Sequence, residues 1–282
     1  MDTILLRNGV AMPLLGYGVF QIGERQCRRC VRQALDAGYR LIDTAACYGN
    51  ERAVGEAAAE SGLAREALFL VSKVWIQDAG YERTKASFDK TLSNLKTDYL
   101  DLYLVHMPYG DYHGSWRAME ELYRSGRVRA VGVCNFQQDR LADLILSHDL
   151  APMVNQMELH PFCQQRALGA LMERYSVQMM AWAPFAEGRR DVFQNELLAS
   201  IGARHRKTPA QVILRWLRQK RVVAIPKSVH DERIRQNFAV DDFSLSPGEM
   251  ALIDGMDGGE PLILDITSVE EAFRLHGVRF EQ

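Results

Sequence analysis

Eight short runs of apolar and β-branched residues alternate with amphipathic stretches along this chain, a rhythm that commits it to parallel βα units. The expected strands are 14–20, 40–44, 68–74, 100–106, 128–134, 153–158, 177–183 and 222–226. Between them lie helical stripes such as Phe88, Leu92 and Leu95; Trp116, Met119 and Tyr123; Leu141, Leu144 and Ile145; and Val212, Ile213, Trp216 and Leu217. Gly38, Gly62 and Gly126 follow helical runs where a C-cap is expected. Ahead of the first strand, 3–6 and 10–12 flank Asn8-Gly9, the pair favoured in a tight hairpin because both positions tolerate positive φ. A second helical run at 195–204 marks an extra helix between the seventh and eighth strands. The expectation is an α/β fold: a (β/α)8 TIM barrel with an N-terminal β-hairpin and extra helices. A doubly wound sheet is disfavoured, since Gly16-Tyr17-Gly18 lacks the third glycine and the helix opening of a dinucleotide fingerprint.

The 282 residues suit one such barrel, which commonly takes about 250. No linker, low-complexity tract or repeat interrupts them, so 1–282 reads as a single domain. A hydrophobic share of 47% with 25% charged residues allows a sizeable core. The net charge of −2 gives no broad basic surface, which makes nucleic acid and anionic membranes improbable partners while leaving room for a local phosphate site. The N-terminus has no basic start and apolar run, and no stretch nears the roughly 18 apolar residues of a membrane span, so a cytoplasmic location is expected. Five cysteines, an odd number in a long chain, point to reduced thiols. Cys27 and Cys30 form a C-x-x-C suited to redox or zinc chemistry, yet with Val31, Ala34 and Leu35 they fall on one helical stripe, which makes packing the better reading. No two histidines sit at ligand spacing on adjoining strand ends, so no metal is expected and a metal-dependent barrel hydrolase is disfavoured.

Polar or aromatic groups recur where the strands end: Asp43, Lys73, His106, Asn135, Gln156, Trp182 and Lys227. From Asp43 to Trp182 the steps are 21 to 33 residues, about one βα unit each. Each alone has a plain explanation, a solvated loop or a satisfied core histidine. Together they would meet at one mouth of a barrel.

The segments GYGVFQ (16–21), LIDTAACYGNE (41–51), SKVW (72–75), YLDLYLVHMP (99–108), VGVCNF (131–136), VNQMELHP (154–161) and IPKSVHDERIRQN (225–237) carry a resemblance that spans essentially the whole chain. Taken in order, they resemble the aldo-keto reductase superfamily, in particular its bacterial aldehyde and diketogluconate reductases. The resemblance implies NADPH-dependent reduction of aldehydes and ketones to alcohols, with Asp43, Tyr48, Lys73 and His106 as the catalytic tetrad. It implies that Asn135 and Gln156 bind the nicotinamide carboxamide and that Trp182 stacks on the ring where many relatives use tyrosine. It gives Lys227, Ser228 and Arg233 the adenosine 2′-phosphate, and Gln236 and Asn237 the adenine. Phe20, Trp75 and Met107 would line the substrate pocket.

The chemistry asks for these residue types. Hydride addition to a carbonyl leaves charge on oxygen, so the site needs a proton donor and oxyanion stabilisation. A phenol with a pKa near 10 serves if a neighbouring ammonium lowers it, which makes Tyr48 the expected general acid and Lys73 its tuner. Asp43 supplies the charge that a buried lysine requires, and His106 orients the carbonyl.

Four departures from the family pattern stand out. Cys134 replaces a usual serine and donates weakly to the carboxamide. Gln236 replaces a common glutamate. Met107 replaces a frequent tryptophan, and the segment 109–114 is short, which predicts a more open pocket. A small carbonyl compound is the expected partner and a monomer the expected state. The alternative is a non-catalytic nucleotide sensor on the same fold, which has no need of all four tetrad groups.

Overall fold

The computed structural model describes residues 2–281. Met1 and Gln282, which the reading of 1–282 as one unit includes, lie outside the described residues. The chain opens with an antiparallel hairpin, β1 (Thr3–Leu5) and β2 (Ala11–Pro13). Its turn differs from the expected one. Gly9 alone has positive φ (84°), with Gly9 N donating to Leu6 O (2.8 Å), so Arg7 and Asn8 make an ordinary turn that a left-handed glycine closes. The Asn8 amide donates to Arg129 O (2.9 Å) and the Arg221 guanidinium to Thr3 O (3.1 Å), which fixes the hairpin at the amino-terminal end of the strands that follow Arg129 and Arg221.

Eight parallel strands follow: β3 (Gly16–Gly18), β4 (Leu41–Asp43), β5 (Phe69–Val74), β6 (Leu102–Val105), β7 (Val131–Cys134), β8 (Val154–Glu158), β9 (Gln178–Trp182) and β10 (Val223–Ala224). They pair in strict sequence order. A parallel bridge between Leu15 and Ala224, with Ala224 N on Leu14 O (3.0 Å) and Gly18 N on Pro226 O (3.1 Å), joins the last strand to the first. All eight expected strands are present and shorter than the sequence suggests, because tilted strands in a barrel pair only over the middle of each apolar run. From β4 to β8 every strand residue is buried, as expected of strands packed between a filled interior and covering helices.

The helices are α1 (Glu24–Ala37), α2 (Glu51–Ala59), α3 (Tyr81–Leu95), α4 (Tyr112–Arg124), α5 (Gln138–Ser147), α6 (Arg166–Arg174), α7 (Glu196–His205), α8 (Pro209–Gln219), α9 (Asp231–Phe238), α10 (Pro247–Asp254) and α11 (Val269–Gly277). The α1 stripe of Cys27, Cys30, Val31, Ala34 and Leu35 is buried, and both cysteines are free thiols. Burial pushes the Cys27 thiol up to about 12, which suits packing rather than redox work. The left-handed C-cap of α1 at Gly38 (φ 113°) is also a close approach: a Cβ there would lie 2.6 Å from the Phe238 ring of α9. The extra helix is α7, with Asn195 accepting from Leu198 N (3.1 Å) as its N-cap. A Thr208–Gln211 capping box with Pro209 in the first turn starts α8, whose Val212, Ile213, Trp216 and Leu217 are buried. After α10 the chain returns across the carboxyl ends of the strands and finishes in α11, where Trp75, Ile76, Met107, Ile266 and Leu275 form a second, smaller apolar cluster.

Among the described residues, no helix is long and apolar enough to cross a membrane.

Candidate active site

The last residues of the strands, and those just beyond, converge at one end of the barrel around a cavity of about 670 Å³. Asp43 ends β4 and Lys73 lies one residue before the end of β5. Lys73 is fully buried, and its ammonium donates to Asp43 Oδ1 (2.6 Å) and to Thr44 O (2.8 Å). The other carboxylate oxygen, Oδ2, accepts from Gln156 Nε2 (2.8 Å), which comes from β8 across the barrel interior. Neither charge is left alone in a region of low dielectric.

A short 3-10 turn after β4, Ala46–Tyr48, carries Tyr48 over this pair. The half-buried Tyr48 ring lies 5.1 Å from Lys73 Nζ, 4.9 Å from the Phe20 ring and 5.6 Å, edge-on, from His106. The expectation that Lys73 lowers the phenol is not what the structure shows. Burial, followed by the Asp43 carboxylate, holds Tyr48 well above its ordinary value. His106 follows β6, with its backbone N–H on Val74 O (3.0 Å) and its ring packed edge-on at 5.0 Å against Trp75. Burial, reinforced by the Lys73 charge, holds the imidazole well below its usual pKa, so it is neutral at physiological pH. Its Nδ1 lies 3.5 Å from the Cys47 thiol. Burial pushes that thiol up to about 12, which keeps it protonated.

Asn135, just past β7, sits in the left-handed region (φ 62°). That turn points its amide at His106 O (3.2 Å), while its carbonyl accepts from Trp182 Nε1 (2.9 Å) at the end of β9. The nearest partner of Gln156 Oε1 is the buried Cys134 thiol at 3.9 Å, a weak donor. Asp43, Tyr48, His106, Asn135, Gln156, Trp182 and Lys227 therefore share one cavity with Phe20, Trp75 and Met107, and Lys73 lies beneath it.

Ser228, Arg233, Gln236 and Asn237 lie outside that cavity, on the segment after β10 and on α9. Ser228 is buried, with its hydroxyl accepting from His230 N (3.2 Å) and its carbonyl held by the Tyr17 hydroxyl of β3. Lys227 and Arg233 are exposed and have no ion-pair partner among the described residues. Gln236 is occupied within its own helix, its amide on Glu232 (3.0 Å).

Sequence reasoning missed several residues here. Asn50, inside a quoted motif but not singled out, donates to Val19 O (2.9 Å) and Ile22 O (3.0 Å) and accepts from Thr44 Oγ1 (2.8 Å). It thereby fixes the Phe20 loop to the Tyr48 loop. Ile263, Leu264, Arg274, Leu275 and Val278 wall the cavity from the C-terminal segment. They cover the side that the short 109–114 segment leaves: Tyr109 donates to Ile266 O (2.7 Å), and Trp75 Nε1 to Val278 O (3.2 Å). The only sequence signal for this wall was the apolar face of α11.

The aldo/keto reductase family model matches residues 14–257. The chain is 47% identical to a glyoxal reductase of Bacillus subtilis, with 92% of this chain and 94% of that protein covered. An aldo-keto reductase from a Medee basin deep-sea metagenome library superposes with a TM-score of 0.92 at 39% identity, over 94% of this chain and 99% of that one. A Bombyx mori aldo-keto reductase solved in complex with NADP superposes with a TM-score of 0.89 at 29% identity, over 94% and 95%.

Proposed function

Because the chain belongs to the aldo/keto reductase family, we propose that residues 1–282 act as one domain that reduces small aldehydes and ketones to alcohols with NADPH. The observation that carries this reading is the convergence of Asp43, Tyr48, Lys73 and His106 at the barrel mouth, with the Lys73–Asp43 pair at 2.6 Å beneath Tyr48.

The donor set fits a phosphorylated dinucleotide. Lys227 and Arg233 are exposed cations without an ion-pair partner among the described residues, and Ser228 adjoins Lys227 in sequence, a combination suited to a phosphate monoester. Among the described residues Gln156 Oε1 accepts only from the Cys134 thiol, which leaves an acceptor for a carboxamide N–H. Asn135 and Gln156 would hold that carboxamide, and Trp182, its indole N–H fixed by Asn135, would stack on the ring. Lys227, Ser228 and Arg233 would take the 2′-phosphate, and Gln236 and Asn237 the adenine. When bound, NADPH supplies the hydride.

Tyr48 gives its hydroxyl proton to the carbonyl oxygen as the carbon accepts hydride. Burial keeps the phenol protonated until that moment. Lys73 then stabilises the phenolate left behind, and Asp43 keeps Lys73 from being an unpaired buried charge. The neutral His106 accepts at Nδ1 from Cys47 and donates from Nε2 to the substrate oxygen, orienting the carbonyl. Phe20, Trp75 and Met107 exclude water around the reacting atoms.

The 47% identical relative is a glyoxal reductase, which together with the apolar lining favours small carbonyls such as 2-oxoaldehydes, aromatic aldehydes and sugar-derived ketones. Apolar walls discriminate by only about 1–3 kcal/mol per methylene, so tolerant selection is expected. Loss of NADPH absorbance against a panel of these compounds tests the reading. NADPH binding without turnover of any of them overturns it in favour of a nucleotide sensor.

A further inference from the structure

Three consecutive backbone N–H groups of the C-terminal segment converge on one buried carboxylate. Leu262 N lies 2.6 Å from Glu158 Oε1, Ile263 N lies 3.0 Å from Oε1 and 3.2 Å from Oε2, and Leu264 N lies 3.0 Å from Oε2. Glu158 is the last residue of β8, 2% exposed, and His160 Nε2 adds a fourth donor at 3.1 Å. Successive N–H groups curled toward one point form an anion-binding concavity, filled here by a side chain of the same protein. Burial alone would push this carboxyl up, but His160 and the N–H groups of Leu264 and Leu262 outweigh it and hold the carboxyl below its ordinary value.

The captured residues are part of the active-site cavity, since Ile263 and Leu264 line it. Beyond them the same segment packs Ile266 and Leu275 against Trp75 and Met107. Its far end is tied by Gln77, which donates to Phe280 O (3.1 Å) and accepts from Phe280 N (3.2 Å). Glu158 is thus the inner fastening of a strap whose underside is the substrate wall.

We propose that Glu158 is a positioning residue for the carbonyl substrate, acting through Ile263 and Leu264 by holding the 262–264 backbone across the barrel mouth. The inference rests on the carbonyl-reductase reading for its kinetic consequence, not for its structural one. Carboxylate chemistry is required because an ionised carboxylate only accepts, whereas an isosteric amide turns an N–H group toward donors it cannot pair with.

Glu158→Gln tests this in the full-length protein by two readouts. Amide hydrogen exchange of 262–264, measured without cofactor, accelerates at least tenfold while β4 to β8 retain parent protection. With methylglyoxal as probe, KM rises at least tenfold, kcat changes less than threefold and the NADPH Kd stays within threefold of the parent. Parent-like exchange at 262–264 overturns the fastening. Accelerated exchange with an unchanged KM overturns the positioning role. If Glu158→Gln does not fold, Leu262→Pro removes one donor from the strap side with Glu158 intact, and exchange at 263 and 264 together with KM decides in the same way. A parent without carbonyl reduction defeats the functional reading while the exchange experiment still judges the fastening.

Discussion

Gln156 donates its side-chain amide to Asp43 Oδ2 at 2.8 Å, joining two residues 113 positions apart on strands β8 and β4. The same Asp43 carboxylate holds Lys73 through its other oxygen. The proposed cofactor-binding amide and the proposed catalytic ion pair therefore form one hydrogen-bonded unit through the barrel interior, and a change in either is felt by the other.

Asp43→Asn leaves Lys73 fully buried without an opposing charge. Breaking one side of a buried pair costs about 3–5 kcal/mol. A urea midpoint should fall accordingly, and Asp43→Asn with Lys73→Met should recover part of the loss. Unchanged midpoints in the single variant contradict the pairing.

Tyr48→Phe keeps the ring that packs at 4.9 Å from Phe20 and removes only the hydroxyl. General acid catalysis contributes about two to four orders of magnitude, so kcat should fall at least a hundredfold while the NADPH Kd hardly moves. A variant within about threefold of the parent rate removes Tyr48 as the proton donor.

Lys227 and Arg233 supply the expected preference for NADPH over NADH. Losing a charge-assisted phosphate contact costs about 1.5–3 kcal/mol, roughly ten- to a hundredfold in Kd. Arg233→Ala should weaken NADPH by that factor and leave NADH unaffected in a fluorescence titration. Equal Kd values for the two cofactors in the parent rule out the assignment.

His106 sets a pH dependence of stability. Its pKa in the folded protein lies well below the unfolded value, through burial and then the Lys73 charge, so the unfolded chain takes up a proton first on acidification. The contribution is fully present above the unfolded pKa of about 6.5 and is lost as pH falls below it. His106→Asn should lose less stability than the parent between roughly pH 8 and pH 5 in urea titrations. Parallel losses in the two proteins would exclude a buried neutral imidazole.

The barrel was legible because its signal repeats: each strand is an apolar run, each helix a stripe, and the polar residue ending each strand sits at a fixed place in the unit. Positions that depend on neighbours distant in sequence were not legible. Nothing about Glu158 announces that 262–264 will close on it, since its partners are backbone N–H groups, which every residue but proline has. The direction of the Tyr48 shift was misjudged for a related reason. The sequence shows an ammonium near the phenol but not the burial that, with the Asp43 carboxylate, pushes the phenol the other way. Asn135 could be named from its motif, yet the left-handed backbone that aims its amide emerges only in three dimensions.

The hairpin on the amino-terminal side of the barrel has a practical consequence for handling the molecule. Its exposed turn at Arg7 and Gly9 lies at the pole opposite the cavity. A surface or fusion partner attached there leaves the mouth facing solution. Attachment near Phe280 instead loads the stretch whose carbonyls receive Trp75 and Gln77, and tension on it is transmitted straight to the wall that meets the substrate.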